Sequence, residues 1–229
     1  MDKGSKGSGG QYFIGLDLGQ SRDFTAMAIL ERAELTGAWD AEEFAHRKMA
    51  ALRLRYLERI PLGTTYPDVV ERVRQVTRSA ELRERCYLMV DATGVGRPVV
   101  DLLRMAGLGC PILAAIITGA DAETNSDGYY KVPKRDMIVG LQVLLQRGGL
   151  QIAAGMKLGP MLVDEMAAMR VKQTARGHEQ FGAWREGEHD DLVFAVALAH
   201  WGAKKVFPRR AEGDDGCWRW EGGEIGRKS

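Results

Sequence analysis

The run Tyr12-Phe13-Ile14-Gly15-Leu16 contains no polar residue and is closed by Asp17. Near-continuous apolarity, rather than alternation, marks a strand buried on both faces. The chain must therefore cover both faces of this strand. A lone carboxylate is costly to desolvate, so Asp17 must be exposed, paired or metal-bound. The same pattern recurs in Cys86-Tyr87-Leu88-Met89-Val90, closed by Asp91. A third apolar element, Leu192-Val193-Phe194-Ala195-Val196-Ala197-Leu198-Ala199, is opened by Asp190 and Asp191. Two strand ends and one helix start, each acidic, can converge on one sheet edge. Convergent carboxylates repel, a divalent cation is the usual remedy, and the chemistry this suggests is metal-assisted work on phosphate.

Composition sets the outer bounds. The 229 residues are 45% hydrophobic and 28% charged, enough for one large soluble domain with its own core. The net charge of +1 gives no overall basic field, so any nucleic-acid contact must rest on local patches. Cys86, Cys110 and Cys217 match neither a zinc motif nor a disulfide framework. Met1–Gly10 lacks the apolar stretch of a signal peptide. No run approaches the roughly 18 residues of a membrane span. The expectation is cytoplasmic chemistry with no membrane partner. Residues 1–10 read as a Gly/Ser/Lys leader, 11–205 as the folded domain, and 206–229 as a loosely docked tail anchored by Trp218 and Trp220.

Periodicity orders the elements. Gln11–Leu18, Phe24–Arg32 and a strand within Ala41–Ile60 read as an antiparallel meander, with Gly37 in the second turn. Helical spacing follows from Pro67 to about Ala80. Then come a strand at Cys86–Val90, a helix at Pro98–Met105 with Val99, Leu102 and Leu103 inward, and a strand at Pro111–Ile117. Thr118–Lys131 reads as a polar loop. Helices are expected at Pro133–Gln146 and Gly159–Lys172, the second with Met161, Leu162, Glu165, Met166 and Met169 in register, and a short extended piece at Leu150–Ile152 between them. A β-hairpin is expected across Arg170–Arg185, and a last helix from Asp190 to Lys204. A meander followed by parallel βα units is the order of an RNase H-like fold: a mixed sheet of five or more strands, flanked by helices, with an extra hairpin.

Each acidic site has an ordinary structural alternative: Asp17 as a turn residue, Asp91 as a loop residue at a strand's carboxyl end, and an aspartate before Leu192 as a helix N-cap. One aspartate suffices for a cap, and the doubled Asp190-Asp191 leaves one to spare. Taken together, the carboxylates suit a hard cation such as Mg²⁺ or Mn²⁺. Two such ions can activate water and stabilise the leaving oxygen of a phosphodiester.

Ile14-Gly15-Leu16-Asp17-Leu18-Gly19 with Asp23-Phe24-Thr25-Ala26, then Val90-Asp91-Ala92-Thr93-Gly94-Val95-Gly96, then Gly187-Glu188-His189-Asp190-Asp191-Leu192, together resemble the nuclease domain of phage large terminase subunits. The resemblance spans roughly Gln11 to Lys204. It implies a DNA endonuclease with two Mg²⁺ or Mn²⁺ ions, Asp17, Asp91 and Asp191 as catalytic carboxylates, and Asp190 as an adjoining metal ligand. The last helix also resembles that of Holliday-junction resolvases, which favours Asp191 over Asp190 as principal ligand. The implied partners are double-stranded DNA and, as separate chains, a packaging ATPase, a small terminase or a portal, in a bacterial host cytoplasm. The sequence has no G-x-x-x-x-G-K-[ST] loop, so motor activity is not implied.

Lys131, Lys134, Arg170, Lys172, Arg176 and Arg185 are the candidate DNA contacts, the last four in or beside the expected hairpin, with Arg22, Arg97 and Arg135 as further basic neighbours. Two other classes share some of these features. A Holliday-junction or hybrid-specific nuclease uses the same metal chemistry. An actin- or sugar-kinase-type nucleotide-binding protein also begins with Asp-x-Gly after a strand, but requires a second copy that this chain does not show. A non-catalytic packaging module would have no need of the aspartates.

Overall fold

A computed structural model describes residues 10–19, 23–41, 44–94, 96–173, 179–182 and 189–207. The order is β1 (Gln11–Asp17), β2 (Thr25–Asp40), β3 (Ala45–Ile60), α1 (Tyr66–Thr77), β4 (Cys86–Asp91), α2 (Gly96–Met105), β5 (Ile112–Thr118), β6 (Thr124–Ser126), β7 (Tyr129–Pro133), α3 (Lys134–Gln146), β8 (Leu150–Ile152), α4 (Gly159–Ala168), β9 (Arg170–Gln173), β10 (Glu179–Gly182) and α5 (Asp191–Val206). Eight strands form one sheet in the order β6-β7-β5-β4-β1-β2-β3-β8, and β9 and β10 form a separate hairpin. β1, β2 and β3 are the antiparallel meander, while β4, β5 and β7 run parallel to β1. This is the mixed, RNase H-like arrangement anticipated from the element order.

Burial on both faces of β1 and β4 divides the core in two. On one face α1 and α2 cover Ile14, Leu16, Leu88 and Val90 with Val69, Val73, Val100 and Leu103. On the other, α5 lies across Phe13, Ala26, Ala28 and Met89, flanked by α3 and α4. The apolar circumference of α5 is explained by this position: every residue from Asp191 to Ala203 is buried.

Two glycines set how closely α5 approaches. A Cβ at Gly15 would stand 1.9 Å from the Ala195 carbonyl oxygen, backbone that cannot move aside. A Cβ at Gly202 would stand 2.2 Å from Met89 Sδ, part of a flexible side chain.

Several expectations need correction. Gly37 lies inside β2, which continues to Asp40, and β3 begins at Ala45. The β2–β3 register shifts between Thr36 and Trp39, so Gly37 sits at an irregularity of the ladder, where glycine is at home, and pairing resumes at Trp39 opposite His46. Thr118–Lys131 is not all loop: β6 and β7 form a hairpin that extends the sheet beyond β5, with Tyr129 and Val132 buried. On α2, Val100 faces the core and Leu102 is 40% exposed. α4 stops at Ala168, and the chain turns into β9 at Arg170. The expected hairpin is present as β9 and β10, with Gln173 opposite Glu179. Residues 1–9, the tail from 208 onward and Arg22, Arg176, His178 and Arg185 lie outside the described residues, as do the side chains of Arg170 and Lys172.

Gly15→Ala is expected to lower unfolding free energy by more than about 3 kcal/mol, because overpacking against backbone exceeds the usual range of about 1–3 kcal/mol. Gly202→Ala should cost distinctly less, since Met89 can repack. Urea denaturation of the two variants checks the order; equal losses would show that α5 does not bear on β1 as described.

Candidate metal centre

The site grows from one register row across the sheet. Leu16 pairs with Val90, so Asp17 and Asp91 leave adjacent parallel strands at the same level. Asp17 pairs with Ala26, and Ala26 pairs with Arg59 on β3. Residues side by side in one row point to the same face. Ala26 belongs to the core beneath α5, so Asp17 and Arg59 emerge on the α5 side. The first turn of α5 then brings in Asp190 and Asp191 from above.

Local chemistry fixes each carboxylate. After Asp17, Gly19 lies against the backbone of Asp23 and Phe24, where a Cβ would meet the Asp23 carbonyl oxygen at 2.2 Å. The Gly19 N–H donates to Thr25 Oγ1 at 3.1 Å, tying the segment after β1 to β2. Asp91 Oδ1 accepts from the Thr93 N–H at 2.7 Å. Thr93 Oγ1 in turn accepts from the Ile117 N–H at 2.7 Å, tying this loop to β5. Gly94 takes a φ of +77°, the left-handed conformation that favours glycine.

Asp191 is 6% exposed and fully engaged. Arg59 Nε donates to its Oδ2 at 2.7 Å, and Arg59 Nη2 to its Oδ1 at 2.8 Å. The same Nη2 reaches Glu165 Oε1 at 2.5 Å. The guanidinium lies over the Phe24 ring, 4.8 Å from its centroid, and that ring meets His189 edge-on. Glu165 Oε2 accepts from the backbone N–H groups of Leu192 and Val193 at 3.1 and 3.2 Å. Glu165 of α4 therefore caps α5. Asp190 occupies the N-cap position but makes no side-chain cap bond; instead its Oδ2 is 3.9 Å from Lys134 Nζ, which also lies over the Phe194 ring.

The electrostatics report a shortage of positive charge. Burial pushes the Asp17 carboxyl well above its ordinary value, and Asp91, Asp191 and Asp190 push it further, with Lys134 opposing. Burial also raises Asp91, against the hydrogen bonds from Thr93 and the charge of Lys134. Burial and then Asp191 lift Glu165 to about 7, against Arg59 and the two backbone donors. Hard oxygen donors short of a counter-charge fit a divalent cation of the Mg²⁺ or Mn²⁺ kind. The fit is one of chemistry and not of a preformed cage: among the described residues no three acidic, imidazole or thiol side chains are gathered to hold a metal.

Of the residues singled out from sequence, Asp17 lies within electrostatic reach of Asp91, Asp190, Asp191 and Lys134, and Lys134 is 3.9 Å from Asp190. Lys131 is exposed on β7, three residues before Lys134. The hairpin strand β10 lies against α3, which Lys134 opens. Arg59 and the role of Glu165 were missed. Glu165 was visible as a carboxylate in the apolar register of α4, which is a signal in itself. Arg59 shows only once the strand register is known.

The ionisation pattern predicts a pH trend for metal-free protein. A carboxyl raised in the folded state binds its proton more tightly there than when unfolded, so stability falls as pH rises through the interval between the two values. For Glu165 that interval runs from the ordinary carboxylate range to about 7, and Asp17 and Asp91 act in the same direction. In EDTA, the melting temperature should fall between about pH 4.5 and 7, and added Mg²⁺ should restore it at the upper end. A melting temperature that rises steadily across this range would contradict the assigned environment.

No protein-family model matches the chain, and no curated protein matches it. Solved structures do. The large terminase nuclease from thermophilic phage G20c with bound magnesium is 24% identical, with a TM-score of 0.58 over 85% of this chain and 82% of that one. The human cytomegalovirus terminase nuclease domain, soaked with manganese, is 12% identical, with a TM-score of 0.52 over 89% of this chain and 88% of that one. The large terminase nuclease domain of bacteriophage SPP1, with bound manganese, is 13% identical, with a TM-score of 0.51 over 86% and 88%. The chain has the fold of the large terminase nuclease domains.

Proposed function

We propose that this chain is a divalent-metal-dependent endonuclease that hydrolyses DNA phosphodiester bonds, as the nuclease of a genome-packaging terminase does. The observation that carries this reading is the register row: Asp17 and Asp91 leave neighbouring strands at one level, and α5 sets Asp190 and Asp191 beside them. Support comes from the shared fold with terminase nucleases solved with magnesium or manganese bound.

Asp17, Asp91 and the Asp190-Asp191 pair would hold two Mg²⁺ or Mn²⁺ ions. Bound there, the ions would supply a water nucleophile and charge stabilisation at the phosphorus. The protein's own part is positional. The Thr93 N–H holds the Asp91 carboxylate, and Glu165 caps α5 in place of Asp190, which is therefore not used as a cap. Lys134 supplies a cation at the rim, where a phosphate oxygen can be met. Lys131, together with Arg170, Lys172, Arg176 and Arg185 in or beside the hairpin sequence, would contact phosphate without sequence readout. The partners we infer are double-stranded DNA and, on separate chains, a packaging ATPase, a small terminase or a portal. The corresponding place of action is a bacterial host cytoplasm. Among the described residues no helix is long and apolar enough to cross a membrane.

Asp17→Asn and Asp91→Asn should each lower Mg²⁺- or Mn²⁺-dependent plasmid cleavage by at least about a hundredfold, within the range for losing transition-state charge stabilisation, with the circular dichroism spectrum unchanged. Retention of full activity by either variant would overturn the proposal. Arg176→Glu should weaken binding to duplex DNA and reduce its salt dependence while leaving Mn²⁺ affinity as it was; unchanged DNA affinity would remove the hairpin from the proposed phosphate contacts.

A further inference from the structure

Arg59 stands at the junction of three elements, β3, α4 and α5. It comes from the carboxyl end of β3, in the same register row as Asp17. Its guanidinium binds both oxygens of Asp191 on α5 and one oxygen of Glu165 on α4. Glu165 and Asp191 are both buried, with side chains 7% and 8% exposed, and Arg59 is itself only 15% exposed. A single, partly buried cation is thus shared by two buried carboxylates at the margin of a group that already has excess negative charge.

This arrangement has a consequence for any ion that enters. Each Asp191 oxygen is taken by an N–H donor, and the donor's charge repels a divalent cation. Removing one partner from a buried ion pair strands the other, so Asp191 cannot change partners unless Arg59 keeps a second anion. Glu165 is that anion, already in contact with Nη2.

Resting on the reading of the site as a divalent-metal centre, we propose that Arg59 is a resident counter-ion that competes with the metal for Asp191, and that Glu165 receives Arg59 when the metal takes Asp191. Arg59 is then a positioning residue that sets the metal affinity of the centre, and Glu165 sets how readily Arg59 lets go. Linkage requires reciprocity: whatever strengthens the hold of Arg59 on Asp191 weakens the metal, and the reverse.

The two residues therefore have opposite signatures. Arg59→Gln removes the competing charge and should tighten Mn²⁺ binding by about fivefold to tenfold, the lower part of the usual range for coupled sites. Glu165→Gln keeps an oxygen acceptor for the Leu192 and Val193 N–H groups but removes the alternative anion. Arg59 then has Asp191 alone, and Mn²⁺ should bind more weakly by a similar factor. Isothermal titration calorimetry with MnCl₂, paired with the electron paramagnetic resonance signal of free Mn²⁺, reads both shifts without reference to cleavage. Opposite shifts support the proposal, because a merely structural triad would weaken binding in both variants. Shifts of the same sign, or none, overturn it. If Arg59→Gln does not fold, Arg59→Lys takes its place: it keeps the charge but loses the two-pronged contact, and should tighten Mn²⁺ binding by less than Glu165→Gln weakens it, with equal weakening in both overturning the proposal. Failure of the wild-type protein to bind Mn²⁺ at all would overturn the metal-centre reading itself, an outcome separate from the other two.

Discussion

The contact of α5 with the central strands governs the rest of the structure. Gly15 lets helix backbone rest on strand backbone, and Gly202 makes room for Met89 one strand over. A helix seated that closely has almost no freedom to rotate or slide, so its first residue is delivered to a defined point over the sheet edge. Its own sequence reflects the demand. No polar side chain between Leu192 and Ala199 could be accommodated in that layer, and the only acidic positions left are those at its start. The carboxylates at the edge and the glycines in the core are thus two ends of one constraint.

That constraint also explains the division of polar labour. A buried helix start needs acceptors for its free N–H groups, and a side chain from the helix's own N-cap would normally provide one. Here α4 provides it through Glu165. Burying Glu165 for this purpose brings a carboxylate next to Asp191, and Arg59 compensates both. Capping, charge neutralisation and carboxylate placement are therefore a single network.

Much of this was legible in the residues, and what was not has identifiable physical reasons. The apolar runs ending at Asp17 and Asp91 and the apolar helix after Asp191 signal burial directly, and a meander followed by βα units signals the layered α/β fold. The β6–β7 hairpin was not legible because Thr124–Ser126 is short and exposed, and its strand character comes from pairing with Tyr129–Lys131. The length of β2 past Gly37 likewise comes from its partner and not from propensity. Arg59 was invisible for a different reason: nothing in Leu57-Glu58-Arg59-Ile60 distinguishes it until Ala26 is known to stand between it and Asp17. Contacts made across strands depend on register, which a single chain states only indirectly.

The meander also holds an asymmetry. β1 pairs with β2 only from Ala26 to Arg32, whereas β2 and β3 go on pairing from Ala33 to Asp40 as a ribbon leading away from the acidic edge. A two-stranded ribbon without a third strand is marginally stable in water. One continuous strand thus belongs to two cooperative units. Amide protons at Ala26–Leu30 should exchange only with global unfolding, while those toward Asp40 exchange through local opening. The end of β2 beside the carboxylates is held by neighbours on both sides, and the far end by β3 alone.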